Sequence, residues 1–509
     1  MLKRSSVLAS VALVAVTAGM AAPAWAETLQ EAIALAYRTN PTLLAQRANQ
    51  RALDETVPQA RAGLRPNVEV SGDVGYSRVD TGGTPGTDFN GDGIIDIPGS
   101  SGISENDSVG VSIGLSQTIY SGGRIGHGIN AAEANVLGGR ENLRAVEQQV
   151  LASVIQAYVD VQRDMEILRI RQENLTVLRR QLDESSARFE VGEITRTDVA
   201  QSESRLAQSE ADLANAQAQL SVSRASYAAV VGQAPANLET PPMLPGVPTD
   251  FDAALDIGLV ENPAVRAAEY SLRAAESRVA QARAEYLPSA RLNASYGGNG
   301  DLSDFGLADR TSFQAGASIS VPLFTGGLNQ SRVAQAREQA NAAQIAIESE
   351  RRGVLQDVSS AFAQVISTRA TLSAGNEAVR AATVAAEGVR QEAQVGLRTT
   401  LDVLNQELEL RAAQVTLAAA RRNEYVAQAQ LLAAMGRLEG ADLDPGIETY
   451  DPRDNYDAVR GRGSLPWDGV IEAIDRIAAP PVMPANDAPD APIDAQLKSE
   501  VVRTAPSAD

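Results

Sequence analysis

One run of oxygen ligands has the spacing of a metal-binding loop: Asp88-Phe89-Asn90-Gly91-Asp92-Gly93-Ile94-Ile95-Asp96. Asp88, Asn90, Asp92 and Asp96 occupy positions 1, 3, 5 and 9 of a calcium-type loop, and Gly93 occupies position 6, where such loops turn sharply. Position 12 holds Gly99 in place of the bidentate glutamate. Two readings stay open: an incomplete calcium loop of millimolar, extracellular-type affinity, and a polar loop rich in turn residues. Other chemistry is sparse. The chain has no Cys and a single His, His127, which removes thiolate zinc sites, disulfides, Cys nucleophiles and His-based metal clusters. His127 follows Gly122-Gly123 with no arguable nucleophile or ligand partner, so it is assigned a packing role. No P-loop, GxSxG or paired-carboxylate arrangement stands out, and the chain is read as a non-enzyme. The charged groups that remain of interest sit at two short turns, Val191-Gly192-Glu193-Ile194-Thr195-Arg196-Thr197-Asp198 and Val395-Gly396-Leu397-Arg398-Thr399-Thr400-Leu401-Asp402. Gly turns the chain in each, and Thr197 is the expected N-cap of the following helix.

The elements that hold these turns are visible in composition and periodicity. Of 509 residues, 85 are Ala, while aromatics make up only 4%. A globular core of that size leans on aromatic and branched side chains; an Ala-carried apolar fraction suits helices packed closely side by side. The net charge of −20 argues against nucleic acid as a partner. Met1–Ala26 has Lys3-Arg4, an apolar stretch from Val7 to Ala22, and Ala24-Trp25-Ala26, the pattern of a cleaved secretory signal peptide. No Cys follows it to carry a lipid, and no other stretch is apolar enough for a membrane helix.

An internal repeat then organises the chain. Asn40-Pro41, Gln59-Ala60-Arg61 and Pro66 recur as Asn262-Pro263, Gln281-Ala282-Arg283 and Pro288. Tyr120-Ser121-Gly122-Gly123, Val191-Gly192, Asp198-Val199 and Gly232 recur as Phe324-Thr325-Gly326-Gly327, Val395-Gly396, Asp402-Val403 and Gly436. The spacing shortens between the two sets, so the first copy carries a longer loop between Pro66 and Tyr120. The domains are accordingly 1–26 signal peptide, 27–232 first repeat, 233–250 linker, 251–436 second repeat, 437–479 C-terminal segment and 480–509 acidic, Pro-rich tail read as disordered. Tyr450–Trp467 is a candidate for packing against the helices.

Each repeat predicts helix, strand, strand, long helix, turn, helix. The first helix is placed at Leu29–Ala62 and at Phe251–Tyr286, each ending near a Pro. Val68, Val70, Val74 and Tyr76 alternate with small or polar residues, as do Val109, Val111, Ile113, Leu115 and Ile119. The second copy has Ala290, Leu292, Ala294 and Tyr296, then Phe313, Ala315, Ala317, Ile319, Val321 and Leu323. Period 2 over about 10 residues fits a membrane-spanning barrel strand. Four strands cannot close a barrel, and open edges cannot face lipid, so several chains must pool them. Two small soluble hairpins are the alternative. The long helices are placed at Ile125–Glu190 and Leu328–Gln394, about 100 Å each, with Val150, Val154, Tyr158, Val161, Met165, Leu168, Leu175, Leu178 and Leu182 on a coiled-coil seam. The returning helices are placed at Thr197–Val231 and Thr400–Met435.

Duplicated strand-strand-long-helix units, Val-Gly turns followed by Thr/Leu-Asp-Val, and an export signal together resemble the TolC family of outer-membrane efflux and type I secretion channels, over about residues 29–450. The resemblance implies an α+β membrane protein: a homotrimer whose three chains supply a 12-stranded outer-membrane β-barrel, four strands each, continued by a long antiparallel α-helical coiled-coil tunnel in the periplasm. It implies an exit duct in the cell outer membrane, conducting proteins or small toxic molecules passively. Its implied partners are a periplasmic adaptor (membrane fusion) protein, an inner-membrane transporter of ABC or RND type, and outer-membrane lipid. The turns become the periplasmic entrance, with Val191, Gly192, Val395, Gly396 and Leu397 as adaptor-docking tips. Arg398 matches a family residue that links to Thr197 and Asp198 of a neighbouring hairpin, and Asp402 matches an entrance carboxylate that threefold symmetry makes into a cation-attracting ring. Asn405 stands where some family channels carry a second Asp, and Ala393 where the best-known pattern has an aromatic. The 88–96 loop would lie outside the cell. A periplasmic coiled-coil scaffold or adaptor without a barrel is the alternative function; a secreted enzyme lacks any recognisable site.

Overall fold

The structure, a computed structural model, describes residues 27–80, 82–83, 85–99, 102–302 and 310–485. The expected signal peptide, and the expected tail from 486 onward, lie outside the described residues. In chain order the elements are α1 (Leu29–Thr39), α2 (Pro41–Asp54), α3 (Thr56–Ala62), β1 (Asn67–Asp80), β2 (Ile103–Tyr120), α4 (Arg124–Glu190) and α5 (Arg196–Val231). There follow α6 (Phe251–Glu261), α7 (Pro263–Ala284), β3 (Ser289–Gly300), β4 (Arg310–Ser320), α8 (Leu328–Gln394), α9 (Thr400–Ala434), α10 (Gly440–Leu443), α11 (Pro452–Val459) and α12 (Asp468–Asp475). The long helices, the returning helices and all four strands fall where periodicity places them, except that β4 ends at Ser320, short of the Val321 and Leu323 that the alternation includes.

The opening helix of each repeat does not run unbroken. Asn40 (ψ 121°) and Asn262 (ψ 126°) are extended, because a following Pro excludes the helical region from its predecessor. Pro41 and Pro263 then start new helices at the position where a missing N–H costs nothing. The Asn side chain uses the break. Asn40 Nδ2 donates to the Val230 carbonyl at 2.9 Å and Asn262 Nδ2 to the Ala434 carbonyl at 2.9 Å, each closing the end of the returning helix of its own repeat. Asn262 Oδ1 also accepts from the Ala264 N–H, capping α7. Gly436, just past α9, has φ 79°, and a Cβ there would meet the Glu261 carbonyl at 2.6 Å. The recurring Asn-Pro and Gly are thus two halves of one joint.

Packing divides the chain into two compact units, each drawing on both repeats: residues 1–40, 153–244 and 371–426, and residues 41–152, 245–370 and 427–509. The second unit holds the sheet, in antiparallel order β1-β2-β3-β4, with a register shift between Thr118 and Tyr120. The register aligns the side chains by face. Ser116 pairs Asn67 and Asn293, Gly114 pairs Glu69 and Ser295, and Thr118 pairs Arg291, giving one polar face. The opposite face carries Val68, Val70, Val74, Val111, Ile113, Leu115, Tyr296, Phe313 and Ile319, all exposed. Among the described residues β1 and β4 each pair with one strand only.

Beneath the sheet this unit has an ordinary core, in which Phe251, Leu255, Val358, Phe362, Leu431 and Met435 cluster, the two Phe rings 5.6 Å apart edge to face. A second cluster is nearly all Ala: Ala275, Val279, Ala336 and Ala340. The C-terminal segment is tied on by polar contacts. Asp475, 1% exposed, accepts from the Ser121 N–H (2.5 Å), the Ser121 hydroxyl (2.8 Å) and the Gly126 N–H (3.4 Å) at the start of α4. Arg65 pairs with Asp468 at 2.9 Å, Asn455 donates to Asp54 at 2.7 Å, and Arg47 and Arg140 lie over the rings of Tyr450 and Tyr456. The Ala485 N–H bonds Glu276 of α7 at 3.1 Å, so the stretch from Pro480 to Ala485, expected to be part of the tail, is held against that helix. His127 is buried beside Asp475, and burial pulls its pKa below the ordinary value despite that carboxylate.

The first unit holds the α4–α5 and α8–α9 turns and the residues behind them. Val154, Tyr158 and Val161 are fully buried as expected, but Met165, Leu168 and Leu182 are only half-buried. Toward the turn the α4–α5 seam becomes small and polar: Asn174 donates to Ser209 at 3.1 Å, and the hydroxyls of Ser185 and Ser202 meet at 3.2 Å. Glu27 is buried, its carboxylate accepting from Tyr227 Oη (2.6 Å), Gln233 and the Ala236 N–H, while Tyr158 Oη donates to the Glu27 and Glu239 carbonyls. Burial, then the Glu27 contact, raises the Tyr227 pKa. Among the described residues no helix is long and apolar enough to cross a membrane.

Replacing Asn262 with Ala removes both the cap of α7 and the clamp on α9. The expected loss is about 1–3 kcal/mol, read as a lower urea midpoint by circular dichroism, with the conservative Asn262→Asp change retaining the cap but not the clamp.

Candidate functional site

The two helix turns are built alike. Gly192 (φ 74°) and Gly396 (φ 82°) take the left-handed conformation that lets α4 and α8 end. The Gly192 and Glu193 N–H groups donate back to Phe189 and Arg188, and the Gly396 and Leu397 N–H groups to Ala393 and Glu392, at 2.9–3.1 Å. These bonds satisfy the last carbonyls of each helix. The returning helix then starts with a reciprocal cap. Asp198 Oδ2 accepts from the Thr195 N–H (2.9 Å) and hydroxyl (2.7 Å), and Asp402 Oδ2 from the Thr399 N–H (3.0 Å) and hydroxyl (2.8 Å).

This arrangement corrects the capping residue expected from sequence. Thr195, not Thr197, is the N-cap of α5. The helix starts one residue earlier, and the Thr-x-x-Asp spacing (195 to 198, 399 to 402) is the local signal that sets the start. Thr197 sits exposed on the first turn of α5. Both carboxylates are acidified by their caps. Hydrogen bonds from the Thr195 hydroxyl and then its N–H hold Asp198 below the ordinary value of 3.8; the Thr399 N–H and then its hydroxyl do the same for Asp402.

The gate candidates are not brought into one cluster within the chain. Arg398 pairs with Glu392 at 2.8 Å on its own turn, not with Thr197 or Asp198. Asn405 accepts from Arg205 Nη2 at 3.2 Å. Farther along α9, Glu407, almost fully buried, joins Arg390 and Arg411, and Arg411 also faces Glu173 at 3.7 Å. Arg422 holds Asp160 at 2.8 Å. These ion pairs are not legible in the sequence, because Arg390–Glu407, Arg411–Glu173 and Arg422–Asp160 join residues of different helices. The tips themselves are bare: Val191 is 78% exposed, Val395 71% and Leu397 76%.

In the 88–96 loop the carboxylates accept backbone N–H groups. Asp88 accepts the N–H groups of Asn90, Gly91 and Gly93, Asp92 accepts that of Ile94, and Asp96 that of Phe89. The Gly93 and then the Gly91 N–H bonds lower the Asp88 pKa, which keeps its carboxylate ionised. Among the described residues no three His, Cys, Asp or Glu side chains converge as a metal site.

Comparison with known proteins agrees with this architecture. Residues 32–233 and 255–437 match the family described as outer membrane efflux protein. Outer membrane efflux protein BepC of Brucella suis is 32% identical over 439 residues, 86% of this chain and 92% of that protein. Outer membrane protein TolC of Escherichia coli is 28% identical over 443 residues, covering 84% and 85%. The CmeC outer membrane channel of Campylobacter jejuni superposes with a TM-score of 0.69 at 15% identity, over 85% of this chain and 89% of that one, a likeness of fold.

The caps set a prediction for the turns. Thr399→Ala is expected to weaken the second turn by about 1 kcal/mol, or about fivefold in hydrogen-exchange protection at residues 395–402, with the sheet amides unaffected. Because the folded Asp402 pKa is depressed, its contribution is complete above pH 3.8 and lost as pH falls through the lower folded value. Protection of the turn should therefore hold from neutral pH to about pH 4 and decline below it.

Proposed function

Because the chain belongs to the outer membrane efflux protein family and is an outer-membrane exit duct, we propose that three copies of it complete the conduit. The observation that carries this is the open sheet: four strands with one exposed apolar face, one polar face, and unpaired edges at β1 and β4. Joining β4 of one copy to β1 of the next closes twelve strands and leaves no edge in lipid. The apolar face then meets hydrocarbon, and the polar face lines the passage. The helices carry no membrane-spanning stretch among the described residues, so the strands are the membrane part.

The exposed Val191, Val395 and Leu397 suit docking of a periplasmic adaptor, which would couple the duct to an inner-membrane transporter of ABC or RND type. Energy for transport then comes from that partner; the duct is passive, and its lining fits both efflux of small toxic molecules and protein secretion. At the entrance, threefold symmetry turns Asp402 into a ring of carboxylates, kept ionised by the Thr399 bonds. Arg398, released from Glu392, is the group free to bridge to the Thr197–Asp198 turn of a neighbouring hairpin. A link of that kind is individually weak and salt-sensitive, which suits reversible opening.

Outer-membrane fractions are expected to contain a heat-modifiable trimer; a purely soluble periplasmic species would favour the barrel-free scaffold instead. In single-channel recordings, Asp402→Ala should lower cation preference without abolishing conductance, and unchanged selectivity removes that residue from the entrance.

A further inference from the structure

Arg291 belongs to the polar face of the sheet, paired across the ladder with Thr118 of β2 and Ser318 of β4. Where that face meets the helices, the second unit contains an open cavity of about 610 Å³. Arg291 lines it together with Arg124 from the first turn of α4, Arg278 and Gln281 from α7, Asn135 from α4, and Thr118. Three arginines therefore border one volume, and among the described residues none of their guanidiniums has a carboxylate or a hydrogen-bond partner. Several other arginines of this unit are paired: Arg61 with Glu133 at 3.1 Å, Arg65 with Asp468 at 2.9 Å, and Arg332 with Glu285 at 2.8 Å. The omission is notable in a chain of net charge −20, where acidic partners are abundant.

Three like charges around one cavity repel one another unless an anion enters. A guanidinium offers a planar fork of donors that matches phosphate oxygens two at a time, and charge-assisted bonds of this type are the strong ones. The Gln281 and Asn135 amides and the Thr118 hydroxyl add neutral donors on the same wall. We propose that this cavity binds a polyvalent oxyanion of the phosphate type, held by Arg124, Arg278 and Arg291. Resting on the exit-duct reading only for its placement, the site faces the passage, because Arg291 and Thr118 belong to the polar face. Three copies make a band of positive charge at the base of the strands, opposite in sign to the Asp402 ring. Anionic cargo is thereby retained at a point where the acidic chain would otherwise repel it. The same polar placement selects a soluble anion over a lipid headgroup, whose acyl chains need the opposite face.

The test titrates inorganic pyrophosphate into the full-length, detergent-solubilised protein by calorimetry at low salt. Saturable binding near one site per chain is expected, weakened at least about tenfold in the triple variant Arg124→Gln/Arg278→Gln/Arg291→Gln. Arg278→Gln alone, at an exposed position, should weaken it partially and covers the case in which the triple variant does not fold. In planar bilayers, pyrophosphate should lower single-channel conductance of the parent protein and not of the variants. No saturable binding, binding unchanged in both variants, or a response only to phosphatidylglycerol vesicles overturns the site. A conducting channel that ignores pyrophosphate overturns the site alone; pyrophosphate binding by a protein that forms no channel overturns the duct and leaves the site standing.

Discussion

A backbone N–H or C=O left unpaired in hydrocarbon costs several kcal/mol, and a sheet edge presents a row of them. Both outer strands of this sheet, β1 and β4, leave such a row open. Meanwhile the face that carries Val68, Val70, Tyr296, Phe313 and Ile319 is exposed to an extent no soluble surface of this size sustains. The apolar face demands lipid, and lipid forbids the edges. Closure by further copies of the same sheet meets both demands, because the register that aligns Ser116 with Asn67 and Asn293 keeps polar residues together on the remaining face. The sheet thus dictates the assembly, and the helices need only supply the passage leading to it.

The composition of the helices follows from how they pack. Where α7 meets α8, Ala275, Ala336 and Ala340 do what large side chains do in the Phe251–Phe362 core. Small side chains bring two backbones close and bury little area per residue, so stability accumulates along a length instead of concentrating at a centre. Toward the α4–α5 turn even that apolar burial thins out, and Asn174–Ser209 and Ser185–Ser202 take over. A seam of hydrogen-bonded small residues specifies which faces meet while contributing less to holding them together, which places the turns at the low-stability end of the hairpin.

Much of this was legible in sequence because it depends on local rules. Alternation located the strands, threes and fours located the long helices, and the doubled motifs located the two turns. The opening helices were misjudged where Asn40-Pro41 and Asn262-Pro263 served only as markers of the repeat; their effect on the backbone is what divides each helix. Thr195 caps α5 in place of the expected Thr197 because its spacing to Asp198 is reciprocal, and the same spacing recurs at Thr399–Asp402. Nothing local identifies Glu407 as buried or leaves Arg124, Arg278 and Arg291 without partners. Those facts depend on which distant segments adjoin, and a single sequence does not encode that in any short window. The 88–96 run shows the converse: its Asx and Gly spacing is a local signal, and the fold shows Asp88 closing that turn on the Gly91 and Gly93 N–H groups.

The two turns also show how a fixed local shape serves a movable part. Each is closed by its own chain: a left-handed Gly, two carbonyls satisfied by the next N–H groups, and a Thr-Asp cap within three residues. None of these bonds depends on a neighbouring hairpin. The ion pair Arg398–Glu392 is likewise internal to its turn, with both groups near half exposed, so exchanging it for a partner on another hairpin costs little in a solvated, salt-screened setting. Buried pairs such as Glu407 with Arg390 and Arg411 cannot be exchanged so cheaply, since an uncompensated charge would remain in the seam. The division between rigid and adjustable contacts therefore runs between α9 near Glu407 and the turn at Arg398, and opening at the entrance can displace the turns without unwinding them.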